Sequence, residues 1–292
     1  MKKYLVVISA VFLISTNIYS QYDSPLKIPV YLSANFGELR NNHFHSGIDI
    51  KTQGVINKPV YSVADGYISR ISVSPSGYGL ALYITHPETG QTSVYGHLES
   101  FIPSVEKYVK SKQYEQESFR VNLSPEKNEF PVKRGQLIAY SGNTGSSGGP
   151  HVHFEIRDTE TEHPLDPLVY YTDIIKDNVP PDLRGIAVYP IAEKGVVNNS
   201  STPLRQNVTK AKNGNYLPLK TDISAWGTIG IGVKAYDKMS ATSNIYGVKI
   251  VRLYVDDNKV FESDINRYSF DETRALNSSS ILKTGGITNL SL

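Results

Sequence analysis

The sequence predicts a mainly β protein of antiparallel sheets, and three observations carry that expectation. Short alternating or β-branched runs recur at Val60 to Val63, Tyr67 to Val73, Leu80 to Thr85, Thr92 to Leu98, Gln136 to Tyr140 and Val152 to Ile156, the pattern of half-buried strands. Turn signals such as Ser76-Gly77-Tyr78-Gly79 and Glu88-Thr89-Gly90 separate neighbouring runs, so consecutive strands are expected to fold back on one another. One stretch breaks the pattern: between 104 and 119, Val105, Tyr108 and Val109 stand at helical spacing among mixed charges, with Ser104 available as an N-cap. It reads as a helical insertion packed on one edge of a β domain spanning residues 25–172.

Beyond it, residues 177–184, with Pro180-Pro181, have the stiffness and polarity of a linker. Strands are then expected at Arg184 to Ile191, Tyr216 to Leu219, Thr228 to Tyr236, Val248 to Val255 and Val260 to Ile265, the last two joined as a hairpin by Asp256-Asp257-Asn258-Lys259. Short strands at this spacing favour a sandwich of the immunoglobulin-like type over residues 185–292. The weakly patterned tail from Thr273 leaves that unit incomplete or ending in a loose segment.

Met1, Lys2 and Lys3 precede an apolar core from Leu5 to Ile14 and a small polar run ending at Ser20, the order of a secretory signal peptide over residues 1–20. Export to the periplasm or cell envelope is expected, with an uncleaved signal anchor as the alternative. Without that leader, which carries two lysines and no acid, the chain of 292 residues falls from 30 basic against 28 acidic side chains to 28 of each. A neutral protein is not an expected partner of nucleic acid. The absence of cysteine excludes disulfide scaffolds, thiolate metal sites and cysteine nucleophiles. Any metal must be held by imidazole and carboxylate.

Three segments place the histidines where that chemistry becomes possible. His45 and Asp49 are four apart, a spacing that returns side chains to one face in a helix and in a strand. In a strand through Val152, Phe154 and Ile156, those three point to the core while His151, His153 and Glu155 share the other face. In the third segment, Tyr95 and His97 are expected on the face opposite Val94 and Leu98. Imidazole and carboxylate without thiolate is a ligand set of catalytic zinc sites, in which three protein ligands leave a position for water. A bound ion lowers the pKa of that water to about 7, generating hydroxide that attacks a carbonyl. Neighbouring imidazoles then relay protons and stabilise an oxyanion.

From Pro29 to Pro167 the sequence resembles the lysostaphin-like, LytM-type zinc metallopeptidases, which cut peptide cross-links of bacterial peptidoglycan. The resemblance rests on His45 with Asp49, on Val63-Ala64-Asp65-Gly66-Tyr67-Ile68, on Tyr95-Gly96-His97-Leu98, and on Ser141-Gly142-Asn143-Thr144-Gly145 leading to His151-Val152-His153-Phe154-Glu155. It implies that His45, Asp49 and His153 bind one zinc ion and that His97 and His151 assist catalysis. It also implies a groove open to stem or cross-bridge peptides. Two other functions compete: a non-catalytic activator of another cell-wall hydrolase, and, for the C-terminal region, a module that contacts wall or protein.

The other polar candidates have plainer expected roles. His43 lies outside the family register and is expected to be structural or groove-lining. His86 reads as a hairpin-end residue, His163 as a loop residue, and Asp65-Gly66 as a turn. Glu155 either orients a histidine or is a solvated strand carboxylate. Arg40 and Asn41 or Asn42 are positioned to contact substrate or to block the site. Ser146-Ser147-Gly148-Gly149 forms a narrow approach to the His151 strand.

Overall fold

A computed structural model describes residues 22–40, 43–219, 222–240, 242–273 and 290–291. The expected signal peptide, Asn41, Asn42 and nearly all of the tail after Thr273 lie outside the described residues. The first sheet has eleven strands, all antiparallel. They are β1 (Leu32–Ala34), β2 (Ile48–Lys51), β3 (Pro59–Tyr61), β4 (Gly66–Val73), β5 (Leu80–His86), β6 (Gln91–Phe101), β7 (Val121–Leu123), β8 (Pro131–Val132), β9 (Leu137–Ser141), β10 (His151–Asp158) and β11 (Pro164–Leu165). The main path runs β1-β2-β10-β6-β5-β4-β7; β9 pairs with β6 and β3, β8 with β4, and β11 with β10.

This order puts β10 between β2 and β6, at the centre of the sheet. Val152, Phe154 and Ile156 enter the main core beside Ile48, Ile50 and Tyr95, as alternation along the strand requires. The opposite face of β10 is polar yet equally closed: His153 is 3% exposed and Glu155 0%. Buried polar groups need partners, so this face must be a hydrogen-bonded network.

Alternation fails in β6. Tyr95 and Leu98 both lie in the main core, so Tyr95 does not share a face with His97 as expected. Leu80 pairs with Leu98 and Leu82 with Tyr95, so Ala81 alone opposes Gly96 and His97. The extra residue is a β-bulge, and His97 takes its left-handed turn at φ 58°. The bulge turns His97 out of the strand's alternation.

The helical insertion is α1 (Pro103–Glu115), with Val105 and Val109 buried and Tyr108 packed edge-on against Phe130 at 5.3 Å. Ser104 is not its N-cap. Pro103 opens the first turn, where its missing N–H costs nothing, and Ile102 is the cap residue without a side-chain bond. The helix stops short of 119, as Glu117 enters the left-handed region at φ 46°.

The later chain forms a five-stranded antiparallel sheet and a hairpin. The sheet contains β12 (Asp182–Val197), β13 (Leu204–Lys210), β14 (Tyr216–Pro218), β15 (Ala225–Tyr236) and β18 (Leu290–Ser291); the hairpin is β16 (Ile250–Val255) and β17 (Asn258–Asp264). β12 begins inside the stretch read as linker, and β13 is a strand the sequence pattern did not indicate. Asp256 and Asp257 form the hairpin turn, both at positive φ.

Residues after β15 return to the first sheet. Tyr246 Oη donates to the Leu32 carbonyl at 2.9 Å and Tyr268 Oη to the Phe44 carbonyl at 3.0 Å. Lys249 Nζ reaches the buried Asp166 carboxylate at 2.5 Å, and Thr273 Oγ1 accepts from the Phe44 amide at 2.8 Å. The loop that carries His45 is thus gripped by chain more than 200 residues later. Among the described residues no helix is long and apolar enough to cross a membrane.

Candidate metal centre

Strand register assembles the centre. β10 and β2 place His153 opposite Asp49, and β10 and β6 place His153 opposite Gly96. An added Cβ at Gly96 would lie 3.4 Å from both His153 and Tyr78, so that position leaves room for two rings. His45 arrives from the turn before β2. Gly47 lets this turn lie against β10, since a Cβ there would come within 2.2 Å of the Phe154 carbonyl oxygen. The His45 ring is fixed by its Nδ1–H, which donates to the Asn35 carbonyl at 2.8 Å.

The donor atoms converge. His45 Nε2 lies 3.1 Å from Asp49 Oδ1 and 3.1 Å from His153 Nδ1, and His153 Nδ1 lies 2.9 Å from Asp49 Oδ1. Ligands about 2.0 Å from a tetrahedral ion are separated by about 3.3 Å, so the three atoms fit the edges of one zinc coordination shell. Among the described residues, His45, Asp49 and His153 form the group of metal-ligating side chains able to hold one ion. Burial alone would raise the Asp49 carboxyl; hydrogen bonds from His151, His153 and His45 outweigh it and hold that group well below the usual carboxylate range. Burial would lower His153, but hydrogen bonds to Asp49 and Glu155 raise it to about 9. In the metal-free chain a proton on His153 therefore stands where an ion would bind, and metal binding must displace it.

Glu155 is the orienting group, not a solvated strand carboxylate. Its Oε1 accepts from His153 Nε2 at 2.7 Å, Tyr78 Oη at 2.6 Å and Ser46 Oγ at 2.6 Å; Oε2 accepts from Arg157 Nε at 2.6 Å. Despite burial, the Arg157 guanidinium and these hydrogen bonds keep Glu155 ionised. Holding the proton on His153 Nε2 leaves Nδ1 free as a metal ligand, the usual service of a carboxylate behind a ligating histidine. Tyr78 also stacks on the His153 ring, with centroids 4.9 Å apart and planes 22° apart. Tyr78, Ser46 and Arg157 were missed in the sequence. Arg157 continues the alternation of His153 and Glu155, a usable signal, whereas Tyr78 reads only as part of a turn.

His97 and His151 flank the cluster with ring centroids 4.7 Å apart. Each is anchored through Nδ1–H to a backbone carbonyl at 2.8 Å: Thr144 for His97, Gly149 for His151. Their Nε2 atoms therefore face the cleft as bases. His151 Nε2 stands 3.5 Å from Asp49 Oδ1. Burial lowers His97 to about 4, so its ring is neutral near pH 7.

An open cleft surrounds these groups, and its walls include Arg40, His43, Tyr78, Ser146, Gly148 and Phe270. His43 lines it without joining the ligand cluster. His86 lies in the core, bonded to the Asp65 carbonyl at 2.9 Å and Ser93 Oγ at 2.7 Å. His163 is a loop residue beside Arg267 at 3.3 Å. Asp65 accepts from Lys133 and the Arg134 amide in its turn, away from the metal group.

Three mutually adjacent N and O donors, two anchored imidazoles and an open cleft make a candidate metal centre on an antiparallel β scaffold. The family model of peptidase family M23 matches residues 43–114 and 120–167. The chain is 35% identical over 112 residues to the peptidoglycan DD-endopeptidase ShyB of Vibrio cholerae, covering 38% of the chain and 20% of that protein. It is 32% identical over 114 residues to the DD-carboxypeptidase/endopeptidase Mpg of Neisseria meningitidis, covering 39% and 20%. An uncharacterised metalloprotease of Haemophilus influenzae is 34% identical over 112 residues, covering 38% and 18%. The chain thus spans about a fifth of the length of these relatives. Among solved structures, a zinc-containing peptidase from Vibrio cholerae aligns at 28% identity and TM-score 0.35, covering 49% of this chain and 37% of that one. The catalytic domain of lysostaphin from Staphylococcus simulans aligns at 22% and 0.36, covering 48% and 91%.

Proposed function

We propose that the protein is an exported zinc metalloendopeptidase that hydrolyses peptide cross-links of bacterial peptidoglycan. The carrying observation is the convergence of His45 Nε2, Asp49 Oδ1 and His153 Nδ1 beside two anchored imidazoles in an open cleft. The names of the relatives supply the substrate class. One zinc ion held by those three atoms supplies Lewis acidity, polarising a carbonyl and acidifying water near neutral pH.

The chain's own residues do the rest. His45 Nε2, Asp49 Oδ1 and His153 Nδ1 would hold the ion, and Glu155 keeps the His153 proton on Nε2. His97, neutral because it is desolvated, accepts the proton of the attacking water at Nε2. That proton passes from His97 Nε2 to the leaving amine as the peptide C–N bond breaks, while His151, its Nδ1–H committed to Gly149, presents Nε2 beside it in the cleft. The leader directs export, and the five-stranded sheet that begins with β12 serves as an accessory unit that contacts wall or protein.

Mass spectrometry of muropeptides released from defined cell walls, with and without a chelator, tests this reading. Cleaved cross-links are expected from the wild type, lost on chelation and restored by zinc. His153→Ala should lose zinc, whereas His151→Ala should retain zinc and lose hydrolysis. Unchanged muropeptides under zinc-replete conditions sink the proposal. Partner-dependent wall cleavage that survives His45→Ala would instead support the activator reading.

A further inference from the structure

The cleft continues past the metal ligands. One rung beyond the His153–Asp49 pair, β10 and β2 place His151 opposite Lys51. Alternation puts Lys51 on the same face as Asp49, with Ile48 and Ile50 buried on the other. A second hollow opens there, walled by Ser33, Lys51 and Gln53 and joined to the first through Arg40, Asp49 and His151.

The two cations of this hollow differ. Arg40 shares its charge with Glu38 at 3.5 Å and Asp49 at 3.7 Å. Lys51 Nζ is held at 2.5 Å by the neutral amide oxygen of Asn244, whose Nδ2 donates to the Ser33 carbonyl at 3.3 Å. Among the described residues Lys51 has no carboxylate partner. It is half-buried, tethered by a neutral group and lining an open hollow beside His151. Residues two apart on a strand are about 6.6 Å apart, a distance that one or two residues of an extended peptide span.

We propose that Lys51 binds a free carboxylate of the substrate, carried within one or two residues of the scissile bond on the His151 side. A carboxylate completes the charge that Asn244 leaves uncompensated, and a charge-assisted bond there fixes the peptide's register. The site thereby selects anionic peptides, with a free acid next to the bond cut, over amidated ones. This inference rests on the peptidase reading.

The test uses the full zinc-loaded chain and pairs of cross-link peptides that differ only in a carboxylate or a carboxamide, placed on the residue before or on the residue after the scissile bond. In one of the pairs the wild type should favour the free acid by about 10- to 100-fold in kcat/KM. Lys51→Met should bring that ratio close to one without changing zinc stoichiometry, and Lys51→Arg should keep most of the preference. A wild-type ratio below about threefold in every pair, or a preference that survives Lys51→Met, overturns the proposal. Calorimetric affinities of the same peptides for wild type and Lys51→Met are measured alongside. If no peptide is cut, the peptidase reading falls, and the ratio of affinities still decides the role of Lys51.

Discussion

Replacing Glu155 by Gln leaves the shape of the site nearly unchanged and removes one charge. The carboxylate accepts four hydrogen bonds, from His153 Nε2, Tyr78 Oη, Ser46 Oγ and Arg157 Nε, all within 2.7 Å. Gln offers one accepting oxygen, so its NH2 must face at least one donor. Among the described residues Arg157, with a side chain 7% exposed, then keeps only the solvated Glu162 at 3.6 Å as an anionic partner. Breaking a buried ion pair in this way costs about 3–5 kcal/mol. The His153 tautomer loses its anchor at the same time, which should weaken metal binding by about 10- to 100-fold. Urea unfolding of the metal-free chain measures the first effect, and competition with a chromophoric chelator measures the second. A stability loss below about 1 kcal/mol together with unchanged zinc affinity would refute the argument that Glu155 orients the ligand.

Two further perturbations probe the scaffold. Gly47→Ala forces a methyl group to within 2.2 Å of the Phe154 carbonyl oxygen; the strained turn should cost about 1–3 kcal/mol and loosen zinc binding, and an unshifted denaturation midpoint would contradict the close approach of the His45 turn to β10. Burial lowers the pKa of His86 from 6.5, so in acid the unfolded chain binds its proton first. Its contribution to stability is present above pH 6.5 and is lost as pH falls toward the depressed folded value. The stability gap between wild type and His86→Asn should therefore narrow between pH 7.5 and about pH 5.5, and a pH-independent gap would show that His86 does not titrate differently on folding.

Much of the centre was legible because it depends on local periodicity. The alternation along His151, His153 and Glu155 survives intact in β10, and Asp49 lies on β2, while its partner His45 comes from the turn that precedes that strand. The bulge in β6 was not legible from alternation, because one extra residue moves Tyr95 into the core and frees His97. Pro103 displaced Ser104 as the marker of the helix start, since a proline at the first helical position needs no side-chain cap. The network of Tyr78, Ser46 and Arg157 around Glu155 joins three strand and turn segments that share no sequence pattern. Nor does periodicity show that Tyr246, Tyr268 and Thr273 return to hold the loop of Phe44 and His45. These contacts are tertiary and join residues more than 200 positions apart.

The most direct measurement is a stoichiometric titration: metal-free full-length chain receives zinc in fractions of an equivalent while cleavage of a cross-linked muropeptide and bound metal are followed together. The account predicts that activity rises linearly with bound zinc and stops at one ion per chain, and that Asp49→Ala and His153→Ala neither bind the ion tightly nor cleave. Hydrolysis by the metal-free chain, or full zinc binding by those variants, would contradict it.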